Sequence, residues 1–365
     1  MRLPALTLLA AAALAAQPAK QRGIAAREAG RLAESTALLT QAAQSAPKDP
    51  EIWWYLGLNA YDLDDHQACA AAFARAAALD KSNGGAHAFL GLCAFRLGQW
   101  EPALAHIIAA KRAGLAPGTE LDRVARYHYA MLLNKTGQFE AAASPLAEMV
   151  RTEPGAPMLE ELSGINALRL NLLPFELPEE LKRPVALAGR ATMLAWNRKS
   201  AEARAAAAEL LRSYPRQPNA HYLMGWLLLL GQDEGALAEF EKELEVSPGH
   251  VQARLQIAYE CLRRGENERG LPYAREAARL APKDFTARNI LGRLLLATGA
   301  VAEAIPELEA AVRLAPGSPE GHFALANAYQ RAGRKLEAEK HRAIFKKLDA
   351  ERAAQPIPGV QVKAQ

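Results

Sequence analysis

Residues 285 to 318 read FTARNILGRLLLATGAVAEAIPELEAAVRLAPGS, and the spacing inside them sets the architecture expected of the whole chain. Gly292 and Ala304 stand twelve positions apart in two apolar-periodic segments, with Leu291, Leu295, Leu308, Ala311 and Leu314 on the apolar faces, Gly299 between the segments and Pro316 after them. A Gly at the turn permits positive φ, and a Pro cannot continue the helical hydrogen-bond ladder. Two small residues at that offset let two antiparallel helices cross with their backbones close. Such a hairpin buries its apolar face only by stacking on a neighbour.

The same spacing recurs outward in both directions. A small residue returns about every 34 positions, at Gly23, Gly57, Gly91, Ala130, Ala191, Gly225, Ala258, Gly292 and Ala326, and a second follows eleven or twelve later, at Ser35, Cys69, Ala103, Ala142, Ala203, Ala236, Gly270, Ala304 and Ala338. The turn position holds Gly30, Gly98, Gly137, Gly265, Gly299, Gly333 and, shifted by one, Gly231. Pro47, Pro154, Pro215, Pro248, Pro282 and Pro316 close the second helices, and Phe73, Ile107, Leu146, Phe240 and Leu308 fill the space between helices. This pattern resembles the tetratricopeptide repeat (TPR) family over roughly residues 16 to 352. The resemblance implies an all-α fold, a right-handed superhelical solenoid of about nine TPR helical hairpins with one degenerate repeat in the middle.

The register breaks once. From Ala130 to Ala191 the interval grows to 61, and after a helix over Met158 to Leu170 with Gly164 in the small position comes Asn171, Leu172, Leu173, Pro174, Phe175, Glu176, Leu177, Pro178, which cannot continue a helix. The expected organisation is therefore a block of four repeats over 17–154, a degenerate repeat or connector over 155–183, a block of repeats five to nine with a capping helix over 184–352, and a tail over 353–365. Leu172 to Leu177 reads either as a packed connector or as an exposed apolar loop that plugs a groove or meets a partner. The polar helix after Lys335 reads as the cap that solvates the last repeat, or else as a basic partner-docking surface carrying Lys335, Lys340, Arg342, Lys346 and Lys347.

The amino terminus gives the expected location. Met1 and Arg2 precede an uncharged stretch from Leu3 to Ala16 that ends in Ala13, Leu14, Ala15, the pattern of a secretory signal peptide cleaved near Ala15–Gln17. At about fourteen residues the apolar run is shorter than the ~20 that span a bilayer. A periplasmic or secreted protein with no transmembrane segment in the mature chain is expected.

Composition and motifs exclude much chemistry. The net charge of +4 in 365 residues is too small to imply nucleic acid. None of the eight His stands in a His-Glu-x-x-His pattern, and no phosphate-cradling Gly-rich loop or Gly-x-Ser-x-Gly elbow is present. No catalytic residue, metal or cofactor is expected. The three cysteines, Cys69, Cys93 and Cys261, read as small buried hydrophobes, with a Cys69–Cys93 disulfide as the alternative that export would allow.

The resemblance implies that the first helix of each repeat lines a concave groove. The groove columns hold Trp54, Leu58, Tyr61, Phe95, Arg96, Tyr127, Met131, Asn134, Lys135, Trp196, Tyr222, Trp226, Tyr259, Arg263, Asn289, Arg293, Asn327 and Arg331, with Phe323 beside them. Only 6% of the chain is aromatic, so nine rings on these columns suit a peptide-binding surface, or else column-twelve rings such as Tyr61 and Phe95 brace the next repeat. The Lys and Asn columns of the family's carboxylate clamp are not reproduced. The function expected is a non-enzymatic protein–protein interaction scaffold of the bacterial cell envelope that binds a protein or peptide partner. The alternative is a glycan-binding or enzyme-accessory subunit in which Trp54, Trp196 and Trp226 stack on sugars.

Overall fold

Short polar residues start the helices. In a computed structural model that describes residues 18–153 and 156–354, side-chain oxygens of Asp49, Asp65, Asn83, Thr119, Asp284 and Ser318 accept from backbone N–H groups two or three positions ahead, and a helix begins after each. Helices end where the sequence placed turns. Gly30, Gly98, Gly137, Gly265, Gly299 and Gly333 all have positive φ, and Asp64 and Arg198 take that conformation in two copies that lack a Gly. One expected turn residue differs: Gly231 is the last residue of its helix, and Gln232 adopts the left-handed conformation instead. The signal stretch Met1–Ala16, Pro154 and most of the tail lie outside the described residues.

The chain divides into two units, one ending at Asn197 and one beginning at Arg198. The first holds α1 (Ala19–Glu28), α2 (Leu32–Ser45), α3 (Pro50–Asp62), α4 (His66–Leu79), α5 (Gly84–Arg96), α6 (Trp100–Ala113), α7 (Glu120–Lys135), α8 (Phe139–Thr152), α9 (Pro157–Ala167) and α10 (Glu179–Trp196). The second holds α11 (Ser200–Ser213), α12 (Ala220–Gly231), α13 (Ala236–Val246), α14 (Val251–Arg264), α15 (Asn267–Leu280), α16 (Phe285–Ala297), α17 (Val301–Leu314), α18 (Pro319–Arg331) and α19 (Lys335–Ala354). No strand occurs among the described residues, and each unit is a stack of helical hairpins, the TPR solenoid arrangement.

The small column works as a socket. A methyl group on Gly57 would lie 2.7 Å from the Phe73 ring, and one on Gly91 would lie 2.9 Å from Ile107. Phe73, Ile107, Leu146, Phe240 and Leu308 are each fully buried, so the large residue of the second helix seats over the small residue of the first.

The degenerate repeat is better formed than the sequence suggested. α10 begins at Glu179 and carries Pro184 inside it, so the non-helical connector is shorter than expected, and the boundary between the units falls after Asn197 rather than in the connector. Two glycines explain this. At Gly164 on α9 a side chain would collide with the Val185 backbone, and at Gly189 on α10 one would collide with the carbonyl of Glu160, so the two helices cross backbone to backbone. The connector itself is packed. Leu173 and Leu177 are buried, Pro174–Glu176 forms a single 3-10 turn, and the Glu176 carboxylate accepts from the Leu173 N–H at 2.8 Å. Phe175, on the outside of that turn, is 72% exposed.

Two tertiary features have no signal in the repeat pattern. Cys69 on α4 and Cys93 on α5 form a disulfide with Cα atoms 6.1 Å apart, which decides between the two readings of those cysteines, while Cys261 is free and buried. At the start of α12, Asn219 provides no side-chain cap, and the fully buried carboxylate of Glu243 on α13 takes that place. It accepts from the N–H groups of Asn219 (2.8 Å) and Tyr222 (3.2 Å) and from the Ser247 hydroxyl (2.8 Å).

Candidate partner-binding cleft

The 34-residue period places equivalent residues of successive first helices side by side. Arg293 on α16 and Asn327 on α18 share one column, and so do Leu262, Leu296 and Gln330 on α14, α16 and α18. In the second unit these residues line a cleft of about 700 Å³, together with Phe323, Arg331 and the α19 residues Phe345, Asp349 and Arg352. Phe323 is 50% exposed and rests against Phe345 with ring centroids 5.2 Å apart, giving the cleft an apolar wall. Arg331 donates to the Leu296 carbonyl at 2.7 Å, a last-turn acceptor of α16 that holds its guanidinium across the cleft. Arg352 bonds Glu320 at 2.6 Å and Asp349 at 2.9 Å, bridging the two carboxylates. Glu320 titrates below the usual carboxylate range, chiefly through a backbone hydrogen bond at its own N–H, with Arg352 and Ser318 adding to it. The arrangement offers rings, an amide and guanidinium groups at one open surface, the groups that anchor a peptide segment.

The sequence pointed to Arg293, Asn327, Arg331 and Phe323, and it left α19 two roles, a solvated cap or a basic partner-docking surface, without naming the residues that face the cleft. Phe345, Asp349 and Arg352 follow one another at four and three positions, so they share a helix face. That periodicity was the available signal.

The other expected groove residues do not converge on one site, and several are structural. Phe95 and Asn289 are buried. Asn134 is fully buried, donating to the Leu162 carbonyl at 3.3 Å and accepting from Asn166 at 2.8 Å, so it braces α7 against α9. Trp54 lies edge-on to Phe73 (5.4 Å) and Phe89 (5.7 Å), and Tyr61 lies edge-on to Phe89 (5.2 Å), so both rings brace α3, α4 and α5. Phe95 does the same for α6 and α7, through Trp100 at 5.4 Å and His128 at 4.8 Å. Lys135 is not open to a ligand. Its ammonium holds both Glu176 oxygens at 2.7–2.8 Å and sits 5.4 Å from the centre of the Trp100 ring, so the connector lies over this stretch of the first unit. Glu176 is correspondingly held below its ordinary range, burial opposing and Lys135 prevailing.

Tyr127 and Trp196 are half-buried against the core of the first unit, and burial pushes the Tyr127 hydroxyl up, with the Glu161 charge adding to it. Arg96 is exposed. In the second unit Tyr222 packs on His250 (4.8 Å) and Phe240 (5.5 Å), Trp226 is half-buried, Tyr259 is 43% exposed, and Arg263 bonds the buried Glu260 at 2.7 Å.

The first unit carries a pH dependence of its own. Burial holds His106 and His128 below their ordinary value, with the neighbouring His87 adding to the effect at His106 and the Val124 carbonyl opposing it at His128. The unfolded chain takes up these protons near 6.5, before the folded chain does. This stability is therefore complete above 6.5 and is lost as the pH falls below it, by up to about 1.4 kcal/mol per pH unit for each ring. Urea titrations of the first unit at pH 7 and pH 5.5 should show the lower midpoint at pH 5.5.

No group of three or more His, Cys, Asp or Glu among the described residues could hold a metal ion, and no helix among them is long and apolar enough to cross a membrane. A family model described as tetratricopeptide repeat matches residues 20–85, 194–251 and 255–319, together just over half of the chain. The Arabidopsis thaliana Protein CTR9 homolog is 38% identical over 79 residues, which are 21% of this chain and only 7% of that protein's length. Among solved structures, MamA 41-end from Desulfovibrio magneticus RS-1 is 23% identical, with a TM-score of 0.43 over 48% of this chain and 98% of that one. Yeast Tom70 is 13% identical, with a TM-score of 0.36 over 90% of this chain and 84% of that one.

Proposed function

This chain belongs to the tetratricopeptide repeat family, and from that premise we propose that it is a non-enzymatic scaffold whose second unit holds a segment of a protein partner in the cleft between α16, α18 and α19. The observation that carries this reading is the convergence there of Arg293 on α16 with Phe323, Asn327 and Arg331 on α18, where the repeat period sets Asn327 beside Arg293, i,i+4 spacing puts Phe323 and Arg331 on the same face as Asn327, and α19 lines the far side. A role in protein–protein interaction follows from the repeat array. The particular cleft is our assignment.

The test is capture of partners from an envelope extract by the intact chain and by Phe323→Ala and Arg293→Ala. Both side chains are well exposed, so each variant should melt within a few degrees of the parent while capture weakens by roughly tenfold or more. Undiminished capture by both variants would place binding elsewhere. Retention of cell-wall glycan, lost in Trp226→Ala, would replace this reading with a sugar-binding one.

The proposal extends to location in the bacterial envelope, periplasmic or secreted. The Leu3–Ala16 stretch and the Cys69–Cys93 disulfide support it together, because disulfides persist in oxidising compartments. Protein from the native host should begin near Ala16 or Gln17 and should resist alkylation at Cys69 and Cys93 until reduced. Intact Met1 with two freely alkylated thiols would refute export.

A further inference from the structure

α19 encloses the cleft, and a pair of imidazoles helps to hold it there. His322 on α18 is only 4% exposed. Its Nε2 lies 3.0 Å from the Pro316 carbonyl oxygen, an acceptor only, so Nε2 carries a proton and donates. Its Nδ1 lies 2.9 Å from Nδ1 of His341 on α19. In the neutral pair the His322 Nδ1 is therefore the acceptor and the His341 Nδ1–H the donor, with the rings nearly parallel at 5.0 Å.

We propose that this pair is a proton-operated latch on the last helix: neutral or singly protonated it fixes α19 against α18 and keeps the outer wall of the cleft in place, and doubly protonated it releases α19. The inference rests on the assignment of the cleft as the binding site, because Phe345, Asp349 and Arg352 reach the cleft only while α19 is docked.

The proton count decides the behaviour. A first proton can enter at the free Nε2 of His341 and leaves the Nδ1–H···Nδ1 bond intact. A second proton has only the His322 Nδ1 to occupy, which sets N–H against N–H and two like charges at 2.9 Å. Every packed element around the pair bears on this balance. On α19, Lys340 opposes protonation of His341; on α17, Glu309 favours it while accepting from the Tyr329 hydroxyl of α18 at 2.7 Å; Arg334 lies 4.3 Å from the centre of the Tyr329 ring and pairs with Glu337. The net direction for His341 is downward, with burial the largest cause and the charge of His322 next. A solvated imidazole titrates near 6.5, so below that pH undocking takes up about one more proton than the docked state holds, and the docked-to-undocked ratio falls by up to about tenfold per pH unit.

Hydrogen exchange of the free, full-length chain at pH 7.0 and 5.0, corrected for intrinsic rates, tests the latch without any ligand. α19 amides should lose up to about thirtyfold protection at pH 5.0 relative to those of α16. In His341→Gln the amide can donate to the neutral His322 Nδ1 or, turned round, accept from its protonated form, so the docked state takes up the proton without a like-charge clash and the α19 loss should shrink to within about threefold. Equal losses in parent and variant, or an α19 that stays protected at pH 5.0 in the parent, would overturn the latch. Should His341→Gln fold poorly, imidazole titration of the parent by NMR answers instead: two separated protonations with the second coincident with α19 release support the latch, and two independent titrations near 6.5 overturn it. Failure here leaves capture at pH 7 untouched, and failure of capture leaves the exchange result standing, so the two ideas fall separately.

Discussion

Gly164→Ala should lower the stability of the first unit by about 3 kcal/mol, more than alanine at any glycine of the small column. The methyl would be driven into the Val185 backbone, and Gly189 stands in the same relation to the Glu160 carbonyl on the opposing helix. Backbone cannot swing away as a side chain can, so α9 and α10 would have to separate along their crossing and open the core that Leu162, Ile165 and Leu173 fill. At Gly23 the same methyl meets the Leu39 side chain at 2.8 Å, where rotation relieves part of the clash. Gly30, with φ of +75° and nothing within 4 Å, should cost only the ~1 kcal/mol of a strained left-handed residue. Four of the five tryptophans, Trp53, Trp54, Trp100 and Trp196, lie in the first unit, so fluorescence during urea unfolding follows it. An order other than Gly164 above Gly23 above Gly30 would show that α9 and α10 do not cross at their backbones.

Glu243→Ala should cost about 3 kcal/mol in the second unit, and Glu243→Gln about half as much. The carboxylate is fully buried and serves two backbone N–H groups at the start of α12 and one hydroxyl, and withdrawing a buried acceptor costs ~1–3 kcal/mol for each group left without it. Gln keeps one oxygen for the helix start but loses the negative charge that the helix N-terminus favours. Exchange of the α12 amides together with the melting temperature separates the outcomes. If Ala and Gln cost the same small amount, the carboxylate is a bystander and α12 starts by some other means.

The groove columns show how far reading by position can go. The repeat placed Arg293, Asn327 and Arg331 on one side of successive helices, and they meet in the cleft. It equally placed Phe95, Asn134 and Lys135 there, and in the first unit those positions are buried or taken by the connector. A column states which way a side chain leaves its helix; it does not state what the chain lays over it. Glu176 reaches Lys135 across 41 positions of sequence, and no local pattern foretells that pairing.

The helices, their turns and the sockets between them were determined by the sequence itself, because each depends on residues within about one repeat. At six of the repeat turns the positive φ falls on Gly, six second helices end ahead of Pro, and the small residue at Gly57 faces Phe73 sixteen positions later. The tertiary structure alone decided the backbone crossing of α9 and α10, the capping of α12 by Glu243, the Cys69–Cys93 bond and the enclosure of the cleft by α19. Those depend on which face of one helix meets another after a connection of variable length. A shift of one residue in that connection turns a helix face by about 100°, a rotation that composition and period leave unspecified.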